Sequence, residues 1–195
     1  MKYDAVIIGS GLGGLECAHI LSKAGMSVLL LERGTQAGGC LQSYRRLGLA
    51  FDTGFHYVGA LDEGQSLHSA FRHLGLLRLP WQRLDNHFDR VTIGNQTFNF
   101  AQGYDAFVET LTAAIPAERD ALNKYADMLK QCGEQQFDAL NPQTGESSLL
   151  SRLFETSAYQ YLTETFHDPL LINVLCGTSL KMELRKESLP LFTFT

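Results

Sequence analysis

A glycine-rich turn near the N-terminus constrains this chain more than any other feature. The segment Gly9 to Gly14 (GSGLGG) contains the pattern G-x-G-x-x-G, and it follows Tyr3 to Ile8, an apolar run that predicts a buried parallel strand. Apolar residues at helical spacing predict a helix over Leu15 to Ala24, and Val28 to Leu31 predicts a second buried strand. Strand, glycine turn, helix and strand in this order predict a right-handed βαβ motif.

The three glycines of the pattern have separate tasks. Gly9 permits the tight turn after the strand, Gly11 lets the backbone approach a pyrophosphate, and Gly14 allows close packing of helix on strand. The negative charge of the pyrophosphate would lie at the helix N-terminus, where the helix dipole stabilises it. Glu32 ends the second strand, where a carboxylate accepts hydrogen bonds from an adenosine ribose and repels a 2′-phosphate. The sequence therefore predicts a dinucleotide site that disfavours NADP.

Composition and charge narrow the class of protein. The 195 residues are 45% hydrophobic and 19% charged, a balance typical of a globular protein. The formal net charge of −5 and the lack of a basic cluster argue against a nucleic-acid partner. No apolar run approaches the length of a membrane span, which predicts a protein that is soluble or peripheral to a membrane. The cysteine usage predicts a reducing compartment, so the expected location is the cytoplasm.

The cysteines and histidines indicate no metal site. Cys17, Cys40, Cys132 and Cys176 are far apart and form no CxxC pair, so we expect buried, reduced thiols. The histidines have no spacing that would gather metal ligands. The predicted metal content is none.

The chain beyond Glu32 predicts a second, different region. A glycine loop at Gly38-Gly39 precedes a predicted hairpin over 43–51, and a further hairpin is predicted over 91–100. Helical patterns then dominate, with a predicted linker over 141–148 and an apolar, strand-like segment over 189–195. The fold class predicted is α/β: a Rossmann-like dinucleotide-binding domain over residues 1–103, followed by a mainly helical region over residues 104–195.

The choice between FAD and NAD depends on the residues after the βαβ motif, because that motif serves both cofactors. A second glycine loop at Gly38-Gly39 would let the backbone approach a ligand closely at a second place. An extended ligand that is bound at both ends needs two such places. This feature favours FAD.

Four segments together resemble a known family. They are Gly9 to Gly14, Leu31 to Arg33, Ala37 to Cys40, and Phe51 to Gly59 (FDTGFHYVG). They are similar to the phytoene desaturase, carotenoid isomerase and retinol saturase group of FAD proteins, and the last string is most similar to the retinol saturase branch. The clear resemblance covers about the first sixty residues.

The resemblance implies a role for each matching residue. The glycine turn would hold the pyrophosphate of FAD, Glu32 the adenosine ribose and Arg33 the adenosine half, while the second loop would run past the ribityl chain and the flavin. The cofactor-binding residues expected are Gly9, Ser10, Gly11, Gly13, Gly14, Glu32, Arg33, Gly38, Gly39 and Cys40. The resemblance also implies that residues 1–103 are a Rossmann-like FAD-binding domain and residues 104–195 a mainly helical, incomplete substrate domain. Members of this group are considerably longer and complete the FAD site with a C-terminal segment, so we expect this chain to be a fragment of a longer enzyme.

Proton transfer and substrate binding have weaker candidates. His56 and Tyr57 come after the flavin-side glycines and are candidate catalytic residues for proton transfer. The alternative is that both residues only pack within the loop. The stretches containing Phe98, Phe100, Phe107, Phe192 and Phe194 would line an apolar cavity or form ordinary core.

The resemblance implies an FAD-dependent oxidoreductase that acts on carbon–carbon double bonds of a lipophilic polyene, such as a carotenoid or retinoid. Three alternatives stay open: an amine-oxidase-like flavoenzyme of the same fold, a flavin enzyme without net redox such as an isomerase, and a non-catalytic fragment that binds FAD or another nucleotide. The expected partners are a lipophilic small molecule, a membrane surface in peripheral contact, and a second copy of the chain.

Overall fold

The chain forms two compact units, Met1–Trp81 and Gln82–Thr195. The computed structural model describes residues 2–135, 149–177 and 187–194, so the predicted linker at 141–148 lies outside the described residues. The hairpin over 87–101 belongs to the second unit. The predicted boundary between an FAD-binding domain and a substrate domain at residue 103 stays a prediction.

The first unit contains the predicted βαβ motif. Its elements are β1 (Ala5–Ile8), α1 (Leu12–Lys23), β2 (Val28–Leu31), β3 (Ser43–Arg46), β4 (Leu49–Asp52) and α2 (Ser66–Leu74). Strands β1 and β2 pair in parallel with Ala5 opposite Val28, whereas β3 and β4 form the predicted antiparallel hairpin. Gly25 has a φ of +86° just after α1, as expected for a glycine that stops a helix. The α/β, Rossmann-like fold class is confirmed.

The prediction that β1 and β2 are buried is wrong for the residues that the structure describes. Ile7 is half-buried and would lie 3.6 Å from a Cβ placed on Gly14, so it faces α1. Val6 and Ile8 point to the other face of the sheet and are 56% and 86% exposed. Helix α1 packs on one face of the two-stranded sheet and leaves the other face open. Among residues 2–81, Ser10 alone is buried.

The second unit is a hairpin packed on helices. Its elements are β5 (His87–Ile93), β6 (Gln96–Ala101), α3 (Tyr104–Ala114), α4 (Arg119–Gln135), α5 (Leu149–Glu155), α6 (Ala158–Thr165), α7 (Pro169–Gly177) and α8 (Leu191–Phe194). Its core brings together side chains from β6, α3, α4, α6 and α7, among them Phe98, Leu111, Leu122, Leu162 and Val174. This unit therefore contains the well-buried core of the described chain.

A buried carboxylate joins two helical segments of the second unit. Glu118 is 4% exposed and accepts the backbone N–H groups of His167 and Asp168 at 2.8 and 2.6 Å. The Asp168 carboxylate in turn accepts the N–H of Leu170 at 2.7 Å in the first turn of α7. These hydrogen bonds stabilise the break between α6 and α7, and Pro169 then begins α7.

Two predictions about individual residues need correction. The strand-like end over 189–195 is helical across Leu191–Phe194, because Pro190 favours a helix start and its carbonyl accepts the N–H of Thr193 at 3.0 Å. The four cysteines, all of them in the described part of the chain, form no disulfide, and Cys17 and Cys40 are exposed where burial was expected. They lie in the first unit, which buries little.

Within the described ranges, no helix combines the length and the apolar character that crossing a membrane would require.

Candidate functional site

The glycine turn joins β1 to α1, and its first and last glycines are required by the fold itself. Gly9 has a φ of +98°, where other residues are strained, and its N–H donates to the Leu31 carbonyl at 2.7 Å. A Cβ on Gly14 would lie 2.0 Å from the carbonyl oxygen of Gly9. Gly14 therefore allows α1 to start directly against the strand end, as predicted from the motif.

Gly11 differs from these two glycines because the fold does not need it. Its φ is −69°, which any residue adopts, and a Cβ at this position would meet nothing within 4 Å. The space beside Gly11 faces the start of α1, whose first bond runs from the Leu15 N–H to the Gly11 carbonyl. The first N–H groups of a helix have no partner within it, so an anion fits here. The fold itself therefore gives no reason for glycine at this position, and its contact with a pyrophosphate stays a prediction.

Glu32 lies beside the turn and is held from two sides. Its Oε2 accepts the Ser10 hydroxyl at 2.6 Å and the Ser10 N–H at 2.8 Å, and its Oε1 accepts the Gly34 N–H at 2.7 Å. These hydrogen bonds, the one from the Ser10 hydroxyl foremost, lower the pKa of Glu32 from 4.5 to about 2. The carboxylate is thus ionised and accepts hydrogen bonds only, which suits the hydroxyl groups of a ribose.

The lowered pKa of Glu32 predicts a pH dependence of stability. Because the folded chain binds this proton less readily than the unfolded chain, ionised Glu32 stabilises the first unit above about pH 4.5. That contribution falls away as the pH drops from 4.5 towards 2. Urea unfolding measured across this range should show a loss of stability that is smaller in Glu32→Gln. Equal slopes for both proteins would contradict the hydrogen bonds of Glu32 to Ser10 and Gly34.

The second glycine loop lies directly on the first. The Gly38 N–H donates to the Ser10 carbonyl at 2.8 Å, and a Cβ on Gly39 would lie 2.9 Å from the Cα of Gly11. Gly38 and Gly39 have φ values of +118° and +56°, so both use the freedom of glycine. The two loops that the sequence analysis assigned to one ligand are therefore adjacent in space.

Thr53 is a site-forming residue to which the sequence analysis gave no role. Its hydroxyl lies 2.8 Å from the carbonyl oxygen of Cys40 and 2.6 Å from that of Gln42, so it ties the second loop to the end of β4. The sequence signal that could have identified Thr53 is its place between a predicted strand and Gly54. The link of the Ser10 side chain to Glu32 had no sequence signal, since it depends on the two strands being side by side.

The remaining candidates have exposed side chains. Arg33 comes directly after Glu32, Cys40 lies in the second loop, and His56 and Tyr57 lie three and four residues after Thr53. Tyr57 is 50% exposed. Roles in adenosine binding, flavin contact and proton transfer stay predictions for these residues. Among the described residues, no group of three or more His, Cys, Asp or Glu side chains is arranged to hold a metal ion.

The phenylalanines of the second unit have two different environments. Phe98, Phe100 and Phe107 are buried in the core, at 5%, 5% and 9% exposure. Phe192 lines a shallow cavity of about 510 Å³ that is widely open to solvent, where its ring lies 4.2 Å from that of the exposed Phe154. The cavity is lined by Tyr104, Leu129, Cys132, Gly133, Phe154, Phe192 and Thr193. Its volume lies within the range of small-molecule sites, and its lining includes no Asp, Glu, Lys or Arg.

The fold and the glycine turn define an α/β domain of the Rossmann-like class, the class of domain that binds nucleotide cofactors. In agreement, a family model described as "NAD(P)-binding Rossmann-like domain" matches residues 7–74, which include both glycine loops and Glu32.

Several curated proteins are similar over two thirds of the chain. All-trans-retinol 13,14-reductase of Homo sapiens is 38% identical over 133 residues, 66% of this chain and 22% of that protein. A Danio rerio protein named inactive all-trans-retinol 13,14-reductase is 31% identical over 135 residues, 67% of this chain and 22% of that protein. Chloroplastic prolycopene isomerase of Daucus carota is 29% identical over 128 residues, 64% of this chain and 20% of that protein. The chain thus spans about a fifth of the length of these relatives.

A solved structure gives the same fold. A putrescine oxidase redesigned for cofactor binding superposes with a TM-score of 0.56 at 18% identity, covering 90% of this chain and 36% of the oxidase. At this identity the likeness concerns the fold alone.

These similarities confirm the resemblance predicted from the four segments. The chain is similar to the retinol saturase and carotenoid isomerase group of enzymes, and its residues 7–74 match a Rossmann-like nucleotide-binding domain.

Proposed function

We propose that this chain binds FAD and belongs to an oxidoreductase that acts on carbon–carbon double bonds of a lipophilic polyene. The observation that carries the proposal is the contact of the two glycine loops: Gly39 lies against Gly11, beside the carboxylate of Glu32. A continuous glycine surface of this kind suits an extended dinucleotide, which runs from the ribose site past the pyrophosphate site and along the second loop.

Each part of the site has a role in holding the cofactor. The Gly9–Gly14 turn, which includes Ser10 and Gly13, would bind the pyrophosphate, and Glu32 the adenosine ribose. Arg33 would lie along the adenosine, and Gly38 to Cys40 would border the flavin. Bound FAD would supply hydride exchange with the double bond. His56 or Tyr57 would then move the proton that completes a saturation or desaturation.

The substrate class rests on the names of the relatives and on the second unit. Retinol and prolycopene, named in those proteins, are uncharged and largely apolar. The cavity beside Phe154 and Phe192 has a lining of matching character and a volume of about 510 Å³. A lipophilic molecule is therefore the proposed small-molecule partner. Peripheral contact with a membrane and self-association stay proposals of the same kind.

Two alternatives are supported by single observations. The likeness to putrescine oxidase extends over 90% of the chain and would fit an amine-oxidase-like flavoenzyme. The similarity to a protein named as inactive shows that sequences of this kind also occur in a protein described as lacking the activity. A fragment that binds the nucleotide without turnover would fit that second observation.

Absorption spectra of the purified chain, before and after addition of FAD, test the proposal. We expect a stoichiometric complex with the shifted bands of bound flavin, and no comparable binding of NADP. A chain that ignores FAD and binds NAD would contradict the cofactor assignment.

The loaded chain then separates the three functions. Under anaerobic conditions, reduced flavin that is reoxidised by all-trans-retinol, with a product heavier by two hydrogens, would support the polyene reaction. Oxidised flavin that is reduced by putrescine would favour the amine oxidase. Flavin that binds and reacts with neither would favour the non-catalytic fragment.

A further inference from the structure

The hydrogen bond between Ser10 and Glu32 joins the glycine turn to the end of β2. The Ser10 hydroxyl lies 2.6 Å from Oε2 of Glu32, and the N–H of the same residue donates to the same oxygen at 2.8 Å. Ser10 is 1% exposed and is thus sheltered from water, whereas Glu32 is exposed. Short O–H···O⁻ bonds to a charged acceptor are among the stronger hydrogen bonds in proteins.

The glycine pattern does not require this hydroxyl. Position 10 is an x of G-x-G-x-x-G, so a residue without a donor would satisfy the turn, and the Ser10 N–H would still reach Glu32. The side chain therefore adds something beyond the turn itself. The carbonyl of Ser10 also accepts the Gly38 N–H. Ser10 therefore connects the turn both to the end of β2 and to the second loop.

The carboxylate is restrained at both oxygens. Ser10 holds Oε2, and the Gly34 N–H holds Oε1 at 2.7 Å. An exposed glutamate without such partners samples several rotamers and loses that freedom when a ligand binds. A carboxylate fixed before the ligand arrives avoids most of this loss.

We propose that Ser10 is a positioning residue: its hydroxyl orients the Glu32 carboxylate for the adenosine ribose of the dinucleotide. The inference rests on the proposed function, since it assumes that a dinucleotide occupies this site. It assigns to the Ser10 hydroxyl an action through Glu32, in addition to the place of Ser10 in the turn that would bind the pyrophosphate.

A double-mutant cycle tests this action. Affinities for FAD and for ADP, which carries the adenosine and pyrophosphate alone, are measured for the wild type, Ser10→Ala, Glu32→Gln and the double variant. We expect Ser10→Ala to weaken both ligands by about tenfold in the wild-type background and by less than about twofold beside Glu32→Gln. Ser22→Ala, a serine on the exposed side of α1, serves as the control and should leave both affinities unchanged.

A measurement without ligand accompanies the cycle. A ¹³C NMR titration of the Glu32 carboxyl, assigned by its loss in Glu32→Gln, should give a higher pKa in Ser10→Ala than in the wild type. Thermal unfolding of each variant shows whether the fold is kept, and Ser10→Cys offers a donor of similar size but weaker strength if Ser10→Ala does not fold.

The outcomes separate the two proposals. Equal losses in both backgrounds would overturn the inference, because Ser10 would then act on the ligand or on the fold directly. Tighter binding by Ser10→Ala would also overturn it, since the hydroxyl would then compete with the ribose for Oε2. A wild-type chain that binds neither FAD nor ADP would overturn the proposed function and the inference with it, whereas FAD binding without coupling would overturn the inference alone.

Discussion

Replacement of Gly14 by alanine is expected to unfold the first unit. The new Cβ would lie 2.0 Å from the carbonyl oxygen of Gly9, and both partners are backbone atoms that cannot rotate away. To relieve this clash, α1 would have to move away from β1, and the packing of these two elements holds the motif together. We expect a loss of about 3 kcal/mol or more in the free energy of unfolding, at or above the upper end of the usual cost of overpacking. Urea unfolding followed by circular dichroism measures it.

The neighbouring glycine is the matched control for stability. A Cβ on Gly13 would meet nothing within 4 Å, and the residue lies within α1. Gly13→Ala should therefore be as stable as the wild type, or more stable by about 0.5–1 kcal/mol. If both variants unfold at the same denaturant concentration, the close approach of α1 to the end of β1 is wrong.

The second large effect separates binding from folding. Gly11→Ala should leave the unfolding transition almost unchanged, because φ is −69° and the added Cβ would meet no protein atom within 4 Å. The Cβ would instead occupy the space assigned to the pyrophosphate. We expect FAD affinity to fall roughly 10- to 100-fold, the loss of one or two hydrogen bonds to a charged group. Titration of FAD against flavin fluorescence measures the change.

Two results would contradict this interpretation of Gly11. Unchanged FAD affinity would mean that the cofactor lies elsewhere. A large loss of stability without ligand would mean that the glycine serves the fold.

The sequence predicted the elements that depend on local patterns. The predicted bounds of β2 agree with Val28–Leu31, and the hairpin around Gly48 forms where expected. Glu32 lies beside the glycine turn, as its place after the second strand implied. These features follow from spacing along the chain, which sequence displays directly.

Features that depend on distant parts of the chain were not predictable. Gly39 touches Gly11 across 28 residues, and no local pattern encodes that contact. Apolar content suggested that β1 is buried, but burial depends on how many elements cover a strand, and Ile8 is 86% exposed. The short segment Leu191–Phe194 has the residue types of a strand, yet the contacts after Pro190 make it helical. Tertiary context decided each of these cases.

The exposed face of β1 also bears on how this protein would respond to the supply of flavin in a cell. A unit in which Ser10 alone is buried among residues 2–81 draws little folding free energy from its own core. A ligand that binds only the folded state adds stability by mass action, about 2.7 kcal/mol at a free concentration one hundred times its Kd. If the first unit binds FAD as proposed, starvation for riboflavin, the vitamin from which FAD is made, would therefore lower the amount of folded protein.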